Sequence, residues 1–355
     1  MNLLSQIARL LVSVTFIFSG FVKLVDPLGS AYKFEEYFGA DVLNLEFLSP
    51  YALQFSILLI LAEIMLGVML LVGYRPKLTV WSLFAISLLF LFLTWYSAYY
   101  DKVTDCGCFG DAITLTPWET FYKNVILIVL VVFLVVRVHD IQPLRSEILA
   151  QRISLVSLLV FVGIIIYVLR YLPIIDFRAY AIGKNIPEGM AIPEDAEKPV
   201  YEDTWIYNVD GEDRVYSTED KPWNIEGATF VDRETRTLKE GYVPPIHDFT
   251  MERDGEDLTE SLMEEDRLML VVAYNLNLAN SSGLQQLKAL SERAREKGFK
   301  VYFFSASTQE DFEKVKAEFG FDLELLFCDE TTLKTIIRSN PGVVTLSRGT
   351  ITGKW

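Results

Sequence analysis

Two cysteines separated by a single glycine, Cys106 and Cys108, stand in the stretch D-C-G-C-F-G-D over residues 105–111, far along the chain from the third cysteine, Cys328. A disulfide between residues two apart closes a small, strained ring, and strain raises the reduction potential. Such a bond is a labile oxidant rather than a staple. Gly107 relieves part of the strain through its free backbone angles. The spacing therefore points to a redox-active pair, Cys106 and Cys108, exchanging with a thiol or disulfide of another molecule. Asp101, Asp105 and Asp111 flank the pair, with Lys102 the nearby cation; negative neighbours disfavour a thiolate and slow its attack. A static disulfide, or inert thiols packed in a glycine-rich turn, are the alternative readings. With only His139 and His247 beside three cysteines, no zinc spacing can be written, and haem or copper ligation is equally unsupported. No metal or cofactor is expected, and no motif requires a quinone.

The elements that must position this pair are membrane spans. Apolar runs cover residues 4–25, 53–72, 78–96, 121–136 and 153–169, each close to the roughly 20 residues that crossing a hydrocarbon core demands. Basic residues in short loops mark the cytoplasmic side. Arg75 and Lys77 lie in one turn and Arg137, Arg145 and Arg152 in another, while the 26–50 stretch, expected as a loop, is acidic. The amino terminus is then cytoplasmic, and residues 97–118 with everything after Arg170 are outside, which in a bacterial inner membrane is the periplasm. All three thiols share that oxidising face. The absence of a small-residue cleavage site after residues 3–24 marks the first segment as a retained helix.

Two ionisable groups fall inside the spans. Glu63 lies near the middle of the second, where an isolated carboxylate wants a partner or a proton. Lys23 ends the first. An intramembrane ion pair between Lys23 and Glu63 is one expectation; a Lys reaching for the interface and a protonated Glu is the other. Ser19, Gly20 and Gly67 would let the two helices approach closely. Arg9 is expected as an interface anchor.

The strings F-I-F-S-G-F-V-K-L-V-D-P, L-A-E-I-M-L-G-V-M-L-L-V-G and D-C-G-C-F-G, in this order, resemble the DoxX-like membrane family, and most nearly its MauE, methylamine-utilisation branch. The resemblance covers roughly residues 3–136. It implies a polytopic membrane protein associated with thiol or sulfur redox and with the maturation of exported disulfide-containing proteins.

Beyond Arg170 the chain changes character. Up to that residue it carries 12 acidic and 11 basic residues, and after it 35 against 21. An acidic outer part has no electrostatic means of holding nucleic acid. Residues 201–217 read as a hairpin around Asp210-Gly211, with Trp205 and Trp223 as core of this small β unit, after a linker-like segment at 187–199. From Pro244 strands alternate with helices, as in an α/β domain with a largely parallel sheet and a terminal hairpin. This resembles the thioredoxin fold in its peroxiredoxin-like form, and the resemblance makes Pro341 the candidate cis-proline beside a peptide groove. The pattern departs where C-x-x-C would stand: Asn277 and Asn280 occupy that region, and neither can do thiol chemistry. Cys328 is expected as a buried core residue, with a resolving thiol as the alternative.

The expected architecture is thus an α-helical membrane bundle followed by an α/β domain. It divides into a four-helix DoxX/MauE-like unit over 1–140, a fifth transmembrane helix over 141–172, a linker and small β unit over 173–243, and a thioredoxin-like domain over 244–355. The expected function is a thiol-disulfide redox accessory or maturation factor for exported proteins, working with a periplasmic or inner-membrane protein partner. A non-catalytic membrane anchor recruiting such a partner is the alternative from a different class. A transporter finds only weak support in Lys23 and Glu63.

Overall fold

The computed structural model describes residues 3–355 apart from 101, 104–106, 114, 210 and 240. Among the described residues five helices are long and apolar enough to span a bilayer: α1 (Leu3–Val25), α3 (Ala52–Val72), which continues a 3-10 turn at Glu46–Tyr51, α4 (Pro76–Tyr100), α5 (Pro117–Val136) and α6 (Glu147–Val168). Only 17% of the most apolar window of α6 is buried, against 56% in α1. The side chains of Leu155, Val156, Leu159 and Val160 therefore face outward, a surface that lipid covers without cost. The chain is a membrane protein. Local chemistry sets the helix starts: Thr116 and Glu119 form a capping box around Pro117 at α5, and Ser146 accepts from the Leu149 N–H at α6.

Close backbone approach joins α1 to α3. A Cβ on Gly20 would sit 2.8 Å from Ile64 Cβ, and one on Gly67 would sit 2.8 Å from Ile17 Cγ1, so glycine at both heights lets the backbones touch. At the far end of the pair, Arg9 donates to the carbonyls of Leu70, Leu71 and Gln142 at 2.8, 2.9 and 3.0 Å. Leu70 and Leu71 lie in the last turn of α3, whose carbonyls lack ordinary helical donors, and Gln142 lies in the segment before α6. Arg9 is buried, so it braces the helix end from inside rather than anchoring at the interface.

The acidic 26–50 stretch is not a loop throughout: it contains α2 (Pro27–Phe38). Asp26 caps this helix by accepting from the Gly29 N–H, with Pro27 at its first position. Its apolar face, Ala31, Tyr37 and Phe38, is buried, and Phe34 and Phe38 pack with Phe55 of α3 at ring separations of 6.3 and 5.7 Å.

The C-terminal part is a mixed seven-stranded sheet in the order β10-β9-β6-β7-β8-β4-β5, with β4 (Glu252–Arg253), β5 (Glu256–Asp257), β6 (Leu268–Val272), β7 (Lys300–Ser305), β8 (Leu325–Phe327), β9 (Gly342–Ser347) and β10 (Thr350–Lys354). Strands β6, β7 and β8 are parallel; β9 and β10 add antiparallel at one edge. A short helix α8 (Thr259–Met263) precedes β6, helices α9 (Ser281–Glu296) and α10 (Gln309–Phe319) connect the parallel strands, and α11 (Glu330–Ile336) follows β8. All five residues of β6 are buried. Leu268, Leu270 and Val272 face the core that holds Leu333 and Ile336 of α11, whereas Met269 and Val271 face Leu284, Leu287 and Phe312. Covering on both faces explains why this strand reads as an unbroken apolar run.

Between the two parts lies a three-stranded antiparallel sheet, β2-β1-β3, of β1 (Val200–Val209), β2 (Glu212–Ser217) and β3 (Thr229–Lys239). The sequence pattern pointed to two of these strands; Asp210 of the expected turn lies outside the described residues. Trp205 and Trp223 touch edge-to-face, with centroids 5.6 Å apart, yet Trp223 is 49% exposed, so they pack on the sheet surface rather than forming an enclosed core. The linker-like segment also starts inside the C-terminal fold. In α7 (Ile186–Met190), Ile186 is buried with Tyr180 and Ile246, and its N–H donates to Gly349 O at 2.9 Å. Asp176, Arg178 and Lys354 form a further knot, with Arg178 Nε 2.7 Å and Lys354 Nζ 3.1 Å from Asp176. Burial, then the Arg178 charge, pushes Lys354 down to about 8 against the pull of Asp176.

One ion pair clasps the two parts. Arg338, just past α11, donates from Nη2 to Asp26 Oδ2 at 2.6 Å and from Nε to both carboxylate oxygens at 3.0 Å. Burial would raise Asp26, but the Arg338 charge and hydrogen bonds outweigh it and hold the carboxylate below its usual range. A depressed carboxylate contributes stability above its unfolded pKa of about 3.9 and loses it as pH falls further. Asp26→Asn leaves a buried guanidinium without its counter-charge and is expected to cost about 3 kcal/mol at pH 7, measured by denaturant unfolding in detergent. The gap between wild type and variant should shrink below about pH 4. A gap that stays constant with pH would place the clasp's energy elsewhere.

Candidate thiol site at the domain junction

Ser19 and Lys23 are one helical turn apart on α1, so they share a face, and the Gly20–Ile64 contact sets that face against Glu63 of α3. Lys23 Nζ donates to Glu63 Oε1 and Oε2 at 2.8 and 2.9 Å and to Ser19 Oγ at 3.1 Å. All three ammonium donors are used. Glu63 is 0% exposed and Lys23 7%. The single Ser19 hydroxyl proton has two acceptors in reach, Cys108 O at 2.7 Å and Glu63 Oε2 at 3.2 Å, and the shorter contact is to the cysteine carbonyl. The buried ion pair is thus wired through one serine to the backbone of the thiol loop.

The loop itself is a tight turn, with the Gly110 N–H donating to Gly107 O at 3.2 Å. Phe109 packs on Phe18 at 5.5 Å, with Lys123 Nζ 4.3 Å from its ring centre. Gly107 lies against Lys33 of α2 and Gly110 against Val22 of α1. Three helices hold it in place. Cys108 is partly exposed and carries a free thiol. Cys106, Asp101 and Asp105 lie outside the described residues.

Two cavities meet at this loop. The larger, about 600 Å³, opens between the helical part and the C-terminal domain; Lys23, Gly107, Gly110 and Asp111 line it on one side and Lys334 and Arg338 on the other. The smaller, about 70 Å³, lies among α2, α3 and α4, with Cys108, Phe34, Ile60 and Phe90 in its wall. Lys23, Ser30, Lys33 and Gly107 border both. Beside the larger cavity, Lys334 Nζ lies over the rings of Tyr32 and Tyr274 at 4.8 and 5.6 Å. Burial, then Tyr274, raises the Tyr32 phenol above its ordinary value.

The structure therefore brings Lys23, Glu63 and Cys108 together and places Pro341 elsewhere. The Asn340–Pro341 bond is cis. Pro341 packs against Gly283 at the start of α9, where Asn280 caps the helix and its N–H donates to Asn340 O at 2.9 Å. Cys328 is 0% exposed in the sheet core, and burial pushes its thiol up to about 11. Among the described residues no cluster of three or more His, Cys, Asp and Glu could hold a metal ion. Sequence reasoning missed Ser19 as a hydrogen-bonding residue, and missed Asp26 and Arg338. The Asp-Pro helix start was a usable signal for Asp26; nothing local marks Arg338.

A family model described as methylamine utilisation protein MauE matches residues 1–137. The match takes in α1 to α5 and the thiol loop and stops before α6. No curated protein matches the chain.

Removing one member of a buried pair strands the other. Lys23→Met is expected to cost about 3–5 kcal/mol, and Lys23→Met combined with Glu63→Leu to recover most of that loss, read by thermal unfolding in detergent. A double variant no more stable than the single would show that the two charges are not coupled.

Proposed function

We propose that this membrane protein is a thiol-disulfide accessory of a bacterial inner membrane, in which Cys106 and Cys108 exchange with cysteines of exported proteins on the periplasmic side. The observation that carries the reading is the attachment of the thiol loop, through Ser19, to a fully used buried ion pair at the edge of a ligand-sized cavity. A loop held at three helices presents its sulfur in a fixed place, which is what exchange with an incoming protein needs.

The exchange conserves electrons. A client thiolate attacks one sulfur of the Cys106–Cys108 disulfide, forming a mixed disulfide and releasing the other sulfur as a thiolate. The client's second thiolate then attacks its own sulfur in that mixed bond. One disulfide is consumed, one is formed, and the protons from the client thiols end on Cys106 and Cys108. The reverse sequence reduces a client.

The basic turns at Arg75 and Lys77 and at Arg137, Arg145 and Arg152 support the placement of the thiol loop outside the cytoplasm. The DoxX-like and MauE-like motifs support a role in thiol redox. The C-terminal domain, read as thioredoxin-like with Asn277 and Asn280 where cysteines would stand, serves as a docking module, and the groove beside Pro341 suits an extended strand of a partner.

A membrane-impermeant maleimide applied to intact spheroplasts after mild reduction is expected to label Cys108 in a Cys106→Ser variant. Labelling only by a permeant reagent inverts the topology and removes the redox reading. Replacing both loop cysteines by serine is expected to abolish disulfide exchange with a reduced exported protein while leaving the chain in the membrane. Unchanged client maturation in that variant would instead identify a non-catalytic anchor.

A further inference from the structure

We infer that the cavity between α2 and α11 is the docking site for an extended, neutral-to-basic segment of the client polypeptide. The inference rests on the thiol-exchange reading and names what that site receives. At about 600 Å³ the cavity lies within the range of about 300–1,000 Å³ of ligand-binding pockets. One wall is Gly107, Gly110 and Asp111 of the thiol loop, while Cys108 itself lines the smaller cavity that shares Lys23, Ser30, Lys33 and Gly107 with it, so a segment lying here brings its own cysteine to the loop that carries Cys108.

Charge decides the class of occupant. Every cation lining the cavity is committed to a carboxylate: Lys23 to Glu63, Lys33 to Glu36, Arg178 to Asp176, Lys334 to Glu330 and Arg338 to Asp26, all at 2.6–2.9 Å. A small anion such as a phosphate or a sulfur oxyanion would have to displace a carboxylate to find a donor. One lining carboxylate is different. Glu35 of α2 has neither a hydrogen bond nor an ion pair within 4.0 Å among the described residues, and burial and then the opposing charges of Lys334 and Glu330 leave it raised above its usual range. It is an acceptor that a client lysine, arginine or backbone amide would satisfy. The outer part of the chain, with 35 acidic against 21 basic residues after Arg170, draws basic segments toward it.

The test uses the full chain in phosphatidylcholine nanodiscs with Cys106→Ser and Cys108→Ser, so that binding is read apart from chemistry. The probes are two fluorescently labelled eight-residue peptides with a central serine, one flanked by lysines and one by glutamates. The lysine peptide is expected to bind at least tenfold tighter. Glu35→Gln, a mild change on an exposed helix face, should reduce that preference to less than threefold, and Thr335→Trp, which fills the cavity from α11, should weaken binding of the lysine peptide by tenfold or more.

Equal affinity for both peptides, or a preference that Glu35→Gln leaves intact, overturns the inference. So does loss of peptide binding on adding short-chain phosphatidylethanolamine, which would assign the cavity to a lipid headgroup. Reaction of Cys108 with dipyridyl disulfide, a neutral reagent, in the Cys106→Ser variant reports on the thiol separately. A reactive thiol with no peptide binding sinks the docking site alone, whereas an unreactive thiol with intact peptide binding sinks the exchange reading alone.

Discussion

A carboxylate and an ammonium that share a bilayer-spanning bundle set the terms for everything around them. Either Lys23 or Glu63 left unpaired at its depth would be costly, because transfer of an unpaired ion out of water costs several kcal/mol after relaxation. Together they satisfy one another only if α1 and α3 come close enough for a 2.8 Å contact, and that closeness depends on Gly20 and Gly67 carrying no side chain. Ser19 completes the ammonium's set of acceptors and then hands one hydrogen bond onward to the Cys108 carbonyl. An apolar pair in place of the ions could pack as well, but it would leave Ser19 with nothing to orient it. The ion pair's contribution is thus direction as much as stability.

The second clasp repeats this logic outside the spans. Asp26 follows Lys23 by less than one helical turn, ends α1, caps α2 and receives Arg338. The same short stretch of chain therefore fixes the thiol loop through Ser19 and Lys23 and fixes the C-terminal domain through Asp26. Coupling two contacts to one helix end means that the cavity between them has a defined width. It also explains why α2 is a helix and not a loop: the carboxylate that meets Arg338 needs a rigid mount, and capping supplies it.

What the sequence made visible followed from periodicity and depth. Five apolar runs became five helices, and the unbroken β6 run became a strand covered on both faces. Lys23 and Glu63 could be paired because few charges lie within spans, and partners are scarce there. The α2 helix was obscured by its acidic outer face, since Glu35 and Glu36 next to Tyr37 and Phe38 read as a polar loop unless the Asp26-Pro27 start is weighted. The segment before β1 looked like a linker because prolines and charges dominate it. Ile186 buries itself there through a five-residue helix, too short for any periodic signal. Arg338 lies 312 positions from Asp26, and a contact at that separation leaves no local trace in one sequence.

The C-terminal half holds one thiol, Cys328. Cys328 sits in the sheet core with no exposed surface and a thiol raised to about 11 by burial, so it is neither ionised near neutral pH nor reachable by an incoming sulfur. At the start of α9, Asn280 caps the helix and its N–H donates to the Asn340 carbonyl. The domain consequently has no sulfur with which to relay electrons to the loop. Its contribution has to be geometric. With Lys334 and Arg338 it closes one side of the cavity that the thiol loop borders on the other, and under the exchange proposed above such proximity would count for more than a modest gain in thiolate fraction.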